Sequence, residues 1–120
     1  MATMNGVIEY TDRIRPNVFT DEDKYKWLNT LEGLVAREVQ QAEEPSYVLP
    51  QDADKELLIP HPYDDIYQLY LLAMIDLANR EYDHYNNAVL VFTNRYEQYK
   101  AWYIRHNPSC KALNFRNVMG

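Results

Sequence analysis

The sequence predicts an all-α protein of about four helices, with a long central helical hairpin, a proline-rich connecting loop and an extended C-terminal tail. Apolar residues recur at intervals of three and four through most of the chain, the spacing of helices that pack along one face. The six prolines fall mainly between these stretches and separate them, and only 3 glycines disfavour a turn-rich β-sandwich. We therefore expect one helical domain over residues 1–108 and a tail over residues 109–120.

The first half of the chain predicts two helices. The first spans residues 2–14 and ends before Pro16, because proline disfavours helical backbone at the preceding residue. The second begins after Thr20, a hydroxyl N-cap followed by three acidic residues that the helix dipole stabilises, and frays near Ala42. Gly33 lies inside it at a cost of about 1 kcal/mol relative to alanine, which predicts close approach of a neighbouring helix.

The middle of the chain predicts an irregular loop and then a central helix. Residues 45–62 contain four prolines, and the apolar residues 57–59 among them need a cover. Residues 63–80 form a third helix that is apolar nearly all round and should therefore be central. Asp76 is its exception, and its spacing to Arg80 predicts an ordinary ion pair one helical turn long.

A fourth helix, residues 81–106, carries a regular aromatic stripe. Its members alternate at spacings of three and four, and we call them the tyrosine seam: Tyr82, Tyr85, Val89, Phe92, Tyr96, Tyr99 and Tyr103. Tyrosine supplies 11 of the 16 aromatic residues, and it suits half-wet surfaces because its ring is apolar and its hydroxyl needs a partner. The seam is thus either a bulky core stripe or a subunit interface. On the second interpretation the candidate interface residues are Tyr82, Tyr85, Tyr96, Tyr99 and Tyr103.

Charge and cysteine content argue against several classes of function. Lys and Arg number 12 against 18 Asp and Glu, a net charge of −6, and the basic residues form no run, so sequence-specific nucleic-acid binding is not expected. The single cysteine, Cys110, excludes an internal disulfide and a cysteine-cluster metal site. We expect no secretory signal in the first eight residues and no membrane span in residues 66–78, hence an intracellular, soluble chain.

The residues that usually carry catalysis are scattered along the sequence. His61, His84 and His106 form no helix-spaced pair, so a metal site would need acids distant in sequence. Pro108 breaks the helix between His106 and Cys110, which disfavours a nucleophile pair. We expect a non-enzymatic protein without a cofactor or metal. A deep pocket gathering His61 or His84 with two or more carboxylates would favour an enzyme instead.

The tail carries a second candidate interaction site. Leu113, Asn114 and Phe115 alternate with a period of two, which is typical of an extended strand. No nearby segment offers a hairpin partner, so these residues either fold back on the helices or bind a partner by adding a strand to it.

Three stretches together resemble the small head–tail connector, or adaptor, proteins encoded in the head-assembly region of tailed phages and prophages of Gram-positive bacteria. They are Pro16-Asn17-Val18-Phe19-Thr20 with Lys26-Trp27-Leu28-Asn29 and Leu31-Glu32-Gly33; Pro62-Tyr63 with Leu69-Tyr70 and Ile75-Asp76; and Tyr85-Asn86-Asn87 with Phe92, Tyr96, Tyr99, Trp102-Tyr103 and Arg105. The resemblance covers roughly residues 16–108. Related sequences usually have glycine at the position of Arg80, between the last two helices.

This resemblance implies an all-α subunit that assembles as a ring beneath the portal and lets DNA pass. Its partners would be the portal protein and the downstream tail-connector proteins, and its place the head–tail interface of a virion made in the bacterial cytoplasm. A ring that forms only on the portal leaves a monomer in solution. A small helical protein-interaction or regulatory module of a mobile element is the alternative that the residues leave open.

Overall fold

The computed structural model describes residues 2–107 and confirms the all-α class. The helices are α1 (Met4–Ile14), α2 (Asp21–Leu34), α3 (Asp65–Ala78) and α4 (Tyr82–His106). A π-helical stretch, Val35–Val39, continues α2. Within the described part of the chain, β-structure is limited to one isolated antiparallel bridge between Thr3 and Glu56. The predicted tail residues Leu113, Asn114 and Phe115 lie outside the described residues, as does Cys110.

The first two helices begin at side-chain caps. The Thr20 hydroxyl accepts a hydrogen bond from the Asp23 N–H at 3.2 Å, which confirms the N-cap that the sequence predicts. Thr3 caps α1 in the same way, so this helix begins at Met4 rather than at residue 2. The π-helical stretch is marked by a bond from the Gln40 N–H to the carbonyl five residues earlier.

The surroundings of Gly33 differ from the predicted close approach of a neighbouring helix. The atoms nearest to a Cβ built there belong to Glu44 rather than to a neighbouring helix. A Cβ at Gly33 would instead lie 2.8 Å from Oε1 of Glu44, on the segment that returns after the π-helical stretch. Glu44 is held there by Arg37, whose Nε lies 3.0 Å from the same carboxylate oxygen. The glycine therefore makes room for a surface ion pair.

Helix α3 is the central element, since it packs against α1, α2 and α4. α4 runs antiparallel to it, with Arg95 Nε lying 3.0 Å from Asp65 Oδ1 at the start of α3. At 1.5 Å per residue, α3 is about 21 Å long and α4 about 37 Å. The last turns of α4 therefore continue past α3 and pack against the π-helical stretch and Tyr63.

The connections around α3 complete the fold. Residues 40–64 form no helix, yet Leu57 and Ile59 are buried in the core. Helix α3 begins at Asp65, two residues later than the spacing predicts, because residues 61–64 form turns. In the short turn between α3 and α4, Arg80 has a φ of 60°, the left-handed conformation. Over residues 2–107, no helix combines the length and apolarity that crossing a bilayer requires.

Candidate interaction surface

The tyrosine seam faces the protein's own core over the C-terminal half of α4. Tyr99 is completely buried, and Phe92, Tyr96 and Tyr103 pack against the same core. The Tyr99 ring lies 5.8 Å from that of Tyr63, which precedes α3. Tyr99, one of the predicted interface residues, is therefore a core residue of this chain, and the fold does not present it to a second subunit.

The remaining seam residues differ in their access to solvent. Tyr82 is 57% exposed and Tyr85 is half-buried, so the start of the seam is open to a partner. Tyr96 is half-buried, and its hydroxyl is buried with no hydrogen-bond partner among the described residues. Burial raises the pKa of Tyr96 to about 12. Tyr103 is also half-buried against the core.

An apolar surface lies beside the seam, in a groove between α3 and α4. Its volume is about 330 Å³, and it is lined by Leu69, Leu72, Ala88 and Val91, with Arg15, Asp76, His84 and Asn87 as its polar residues. Val91 is 52% exposed, and Leu90 next to it on α4 is 62% exposed. Apolar side chains that remain open to solvent beside a groove are typical of interaction sites in soluble proteins. We refer to this feature as the α3–α4 groove.

The polar residues of the α3–α4 groove correct a second prediction. Asp76 does not pair with Arg80, which lies in the left-handed turn; its Oδ1 accepts from the guanidinium of Arg15, at the end of α1. The Asp76 side chain is buried, whereas that of Arg15 is 36% exposed. The second carboxylate oxygen, Oδ2 of Asp76, is buried with no hydrogen-bond partner in the described part of the chain.

Two further groups meet Asp76 across the turn. Ligand atoms of Asp76, Glu81 and His84 all lie within 4.8 Å of one another. The turn creates this arrangement, because the Glu81 N–H donates to the Asp76 carbonyl at 2.9 Å and places the first residues of α4 beside the end of α3. The sequence did not predict the cluster, since its members are five and three residues apart and meet only through the hairpin.

A different buried carboxylate anchors the proline-rich segment. Glu32 of α2 accepts hydrogen bonds from the hydroxyls of Tyr47 (2.9 Å) and Tyr67 and from the Leu58 N–H (3.1 Å). The Tyr67 hydroxyl in turn accepts from the Ile59 N–H at 2.8 Å. Burial raises the pKa of Glu32 despite these three donors, each of which lowers it. The network holds residues 45–62 against α2 and α3, a structural role.

His61 lies apart from both groups of acids. Its Nδ1 is 3.4 Å from Asp64 Oδ1, and the imidazole is largely exposed. Of the two histidines that could have indicated a catalytic pocket, only His84 lies with two carboxylates, and it does so beside an open groove rather than in a deep pocket.

No protein-family model, no curated protein and no solved structure matches the chain.

Proposed function

We propose that this chain is a non-enzymatic structural protein of tailed phages or prophages, a head–tail connector that assembles as a ring under the portal and lets DNA pass. It acts at the head–tail interface of the virion, where it binds the portal and the downstream connector proteins. The observation that carries the proposal is the apolar surface left open on the α3–α4 hairpin. A helical subunit of a ring needs such a surface for its neighbour.

The exposed residues of α4 supply a useful binding energy. Complete burial of a valine or leucine side chain stabilises by about 1.5–3 kcal/mol. Leu90 and Val91 are each more than half exposed, so a neighbouring subunit that covers both gains about 2 kcal/mol at that contact. Tyr82 and Tyr85 lie on the same helix and can extend the interface.

Two other features support a connector. Arg80 adopts a left-handed conformation where connector-like sequences have glycine, as expected if the same tight turn joins the last two helices. The net charge of −6 suits a channel that must pass DNA without holding it.

The proposal is tested by electron microscopy of the full chain mixed with the portal protein encoded beside it. We expect ring density beneath the portal. Val91→Asp places a charge in the α3–α4 groove and should prevent ring assembly. Val48→Asp is the matched control, because Val48 is 63% exposed and belongs to the proline-rich segment, and it should assemble normally.

The outcomes separate the connector from the regulatory alternative. A chain that never associates with the portal, or a Val91→Asp variant that assembles as well as Val48→Asp, would contradict the proposal. Association with a repressor or toxin encoded beside the chain would favour the interaction module. Truncation after Pro108 removes Leu113, Asn114 and Phe115; if attachment to the portal survives it, these residues do not bind the partner.

A further inference from the structure

We propose that the turn between α3 and α4 holds a divalent metal ion, bound by Asp76, Glu81 and His84. The ligand class is a borderline transition metal such as Zn²⁺ or Co²⁺. The three side chains come from both sides of one short turn, and their ligand atoms lie within 4.8 Å of one another.

The geometry needs only small adjustments by exposed side chains. Zinc lies about 2.0–2.2 Å from nitrogen and oxygen ligands, so two ligand atoms on one ion are at most about 4.4 Å apart. His84 Nδ1 and Glu81 Oε2 are already 3.5 Å apart, and their side chains are 65% and 51% exposed. Both side chains lie at the surface and can rotate toward Asp76, whose side chain is buried.

The state of Asp76 is a second, independent indication of a ligand. Its side chain is 1% exposed, and Oδ2 has no hydrogen-bond partner within residues 2–107. An unpaired buried carboxylate oxygen is costly and rare in folded proteins. A metal ion bound at Oδ2 satisfies this oxygen.

Arg15 fits the role of an orienting partner. Its guanidinium binds the other oxygen, Oδ1, and so fixes the plane of the Asp76 carboxylate with Oδ2 left over. Carboxylates that bind metals are commonly held by such a hydrogen bond. Because Asp76 and His84 both line the α3–α4 groove, the groove gives an ion a route from solvent.

The donor set selects the class of metal. One imidazole nitrogen with two carboxylates suits Zn²⁺ and Co²⁺, whereas Ca²⁺ and Mg²⁺ prefer oxygen ligands alone. Three protein ligands leave at least one coordination position for water. The site belongs to a single chain, so it does not depend on the proposed ring.

The test is a titration of the full-length chain with Co²⁺, followed by its visible absorption, and with Zn²⁺, followed by calorimetry. All samples carry Cys110→Ser, because a thiolate would bind either ion. We expect one ion per chain. Loss of an outer-shell partner alone lowers metal affinity by about 10- to 100-fold. Because His84→Ala removes a direct ligand, it should weaken binding by at least that factor.

His61→Ala is the matched control. His61 is also an exposed histidine paired three residues away with an aspartate, but its pair is not part of the cluster around Asp76. It should bind metal like the parent protein. Loss of binding in His61→Ala equal to that in His84→Ala would overturn the proposal, as would a parent protein that binds neither ion.

Two variants test the carboxylates. Glu81→Gln should weaken binding, and Asp76→Asn should abolish it while the helical circular dichroism is retained. If Asp76→Asn fails to fold, Glu81→Gln and His84→Ala decide the matter. Unchanged affinity in both of these variants would refute the site.

Discussion

Tyr67→Phe is the most informative single change, because one hydroxyl links α3, α2 and the proline-rich segment. It donates to the Glu32 carboxylate and accepts from the Ile59 N–H at 2.8 Å. Tyr67 is completely buried and Ile59 is 2% exposed, so water cannot replace either bond without a rearrangement. Phenylalanine keeps the ring and removes only these two interactions.

The expected cost follows from those two bonds. A buried N–H left without a partner costs about 1–3 kcal/mol, and a hydrogen bond to a charged group contributes about 1.5–3 kcal/mol. Since Glu32 keeps its bonds from Tyr47 and Leu58, we take the lower part of each range, which gives about 3 kcal/mol. That is a large share of the 5–15 kcal/mol that stabilises a typical domain.

The assay is urea unfolding followed by circular dichroism and tryptophan fluorescence. With a slope of about 1.5 kcal/mol per M, a loss of 3 kcal/mol lowers the midpoint by about 2 M. Tyr96→Phe is the control, because the Tyr96 hydroxyl is buried with no partner among the described residues. Its removal should leave the free energy of unfolding unchanged or raise it by up to about 1 kcal/mol.

Two results would refute this reasoning. The free energy of unfolding of Tyr67→Phe could lie within about 0.5 kcal/mol of that of the parent protein, in which case the two hydrogen bonds make no net contribution to stability. Alternatively, Tyr96→Phe could lose as much stability as Tyr67→Phe. The hydroxyl's bonding would then not be what distinguishes the two tyrosines.

Three further predictions concern charge and backbone strain. Burial raises the pKa of Glu32 above its usual 4.5, so the folded state favours the protonated carboxyl. The difference in unfolding free energy between the parent protein and Glu32→Gln should therefore be highest below pH 4.5 and fall as the pH rises through the folded-state pKa. A difference that does not change with pH would contradict this. Arg15→Ala leaves the buried Asp76 carboxylate unpaired and should lower the unfolding free energy, measured with denaturant, by about 2 kcal/mol, a value already reduced for the exposure of Arg15. Arg37→Ala, which breaks an exposed ion pair, should lower it by less than about 0.5 kcal/mol. Equal losses in the two variants would argue against burial as the cause. Arg80 has a left-handed backbone that glycine adopts without strain, so Arg80→Gly should raise the unfolding free energy by up to about 1 kcal/mol, whereas Arg80→Ala should not. Thermal melting of the two variants measures the difference. Equal stability of the two would count against strain at this turn.

Local signals in the sequence predict the number and order of the helices but not every boundary. The second helix, expected to reach Ala42, ends at Leu34 and continues only as a π-helical stretch to Val39. The hydroxyl of Thr20 and the ring of Pro16 act on backbone groups within three residues, so both predict a boundary without knowledge of the fold. The apolar composition of α3 likewise predicts its central position, because a helix that is apolar all round needs neighbours on every side.

Partners that are distant in sequence were not predictable in this way. Asp76 has Arg80 at ordinary ion-pair spacing, yet it binds Arg15, which is 61 positions away. The choice depends on how α1 docks on α3, and no local pattern encodes that. Gly33 gives the same lesson, since a missing side chain predicts that something comes close without saying what.

The tyrosine seam shows what the periodicity of a sequence cannot predict. Its spacing correctly groups residues on one face of α4, but it does not say whether that face meets the chain itself or a neighbour. Tyr99 lies in the core, while Tyr82 on the same face is exposed. The exposed apolar residues Leu90 and Val91 are outside the seam.

The unequal lengths of α3 and α4 have a consequence for local opening. The first half of α4 packs against α3, from which a turn of three residues separates it, whereas Tyr99 in the second half contacts Gln40, 59 residues upstream, at 3.3 Å. Contacts that close long loops form later and open with their distant partners. We therefore expect the two halves of this continuous helix to belong to different cooperative units. Amide hydrogen exchange should divide α4 near Arg95, with residues 82–95 opening together with α3 and residues 96–106 opening with the π-helical stretch.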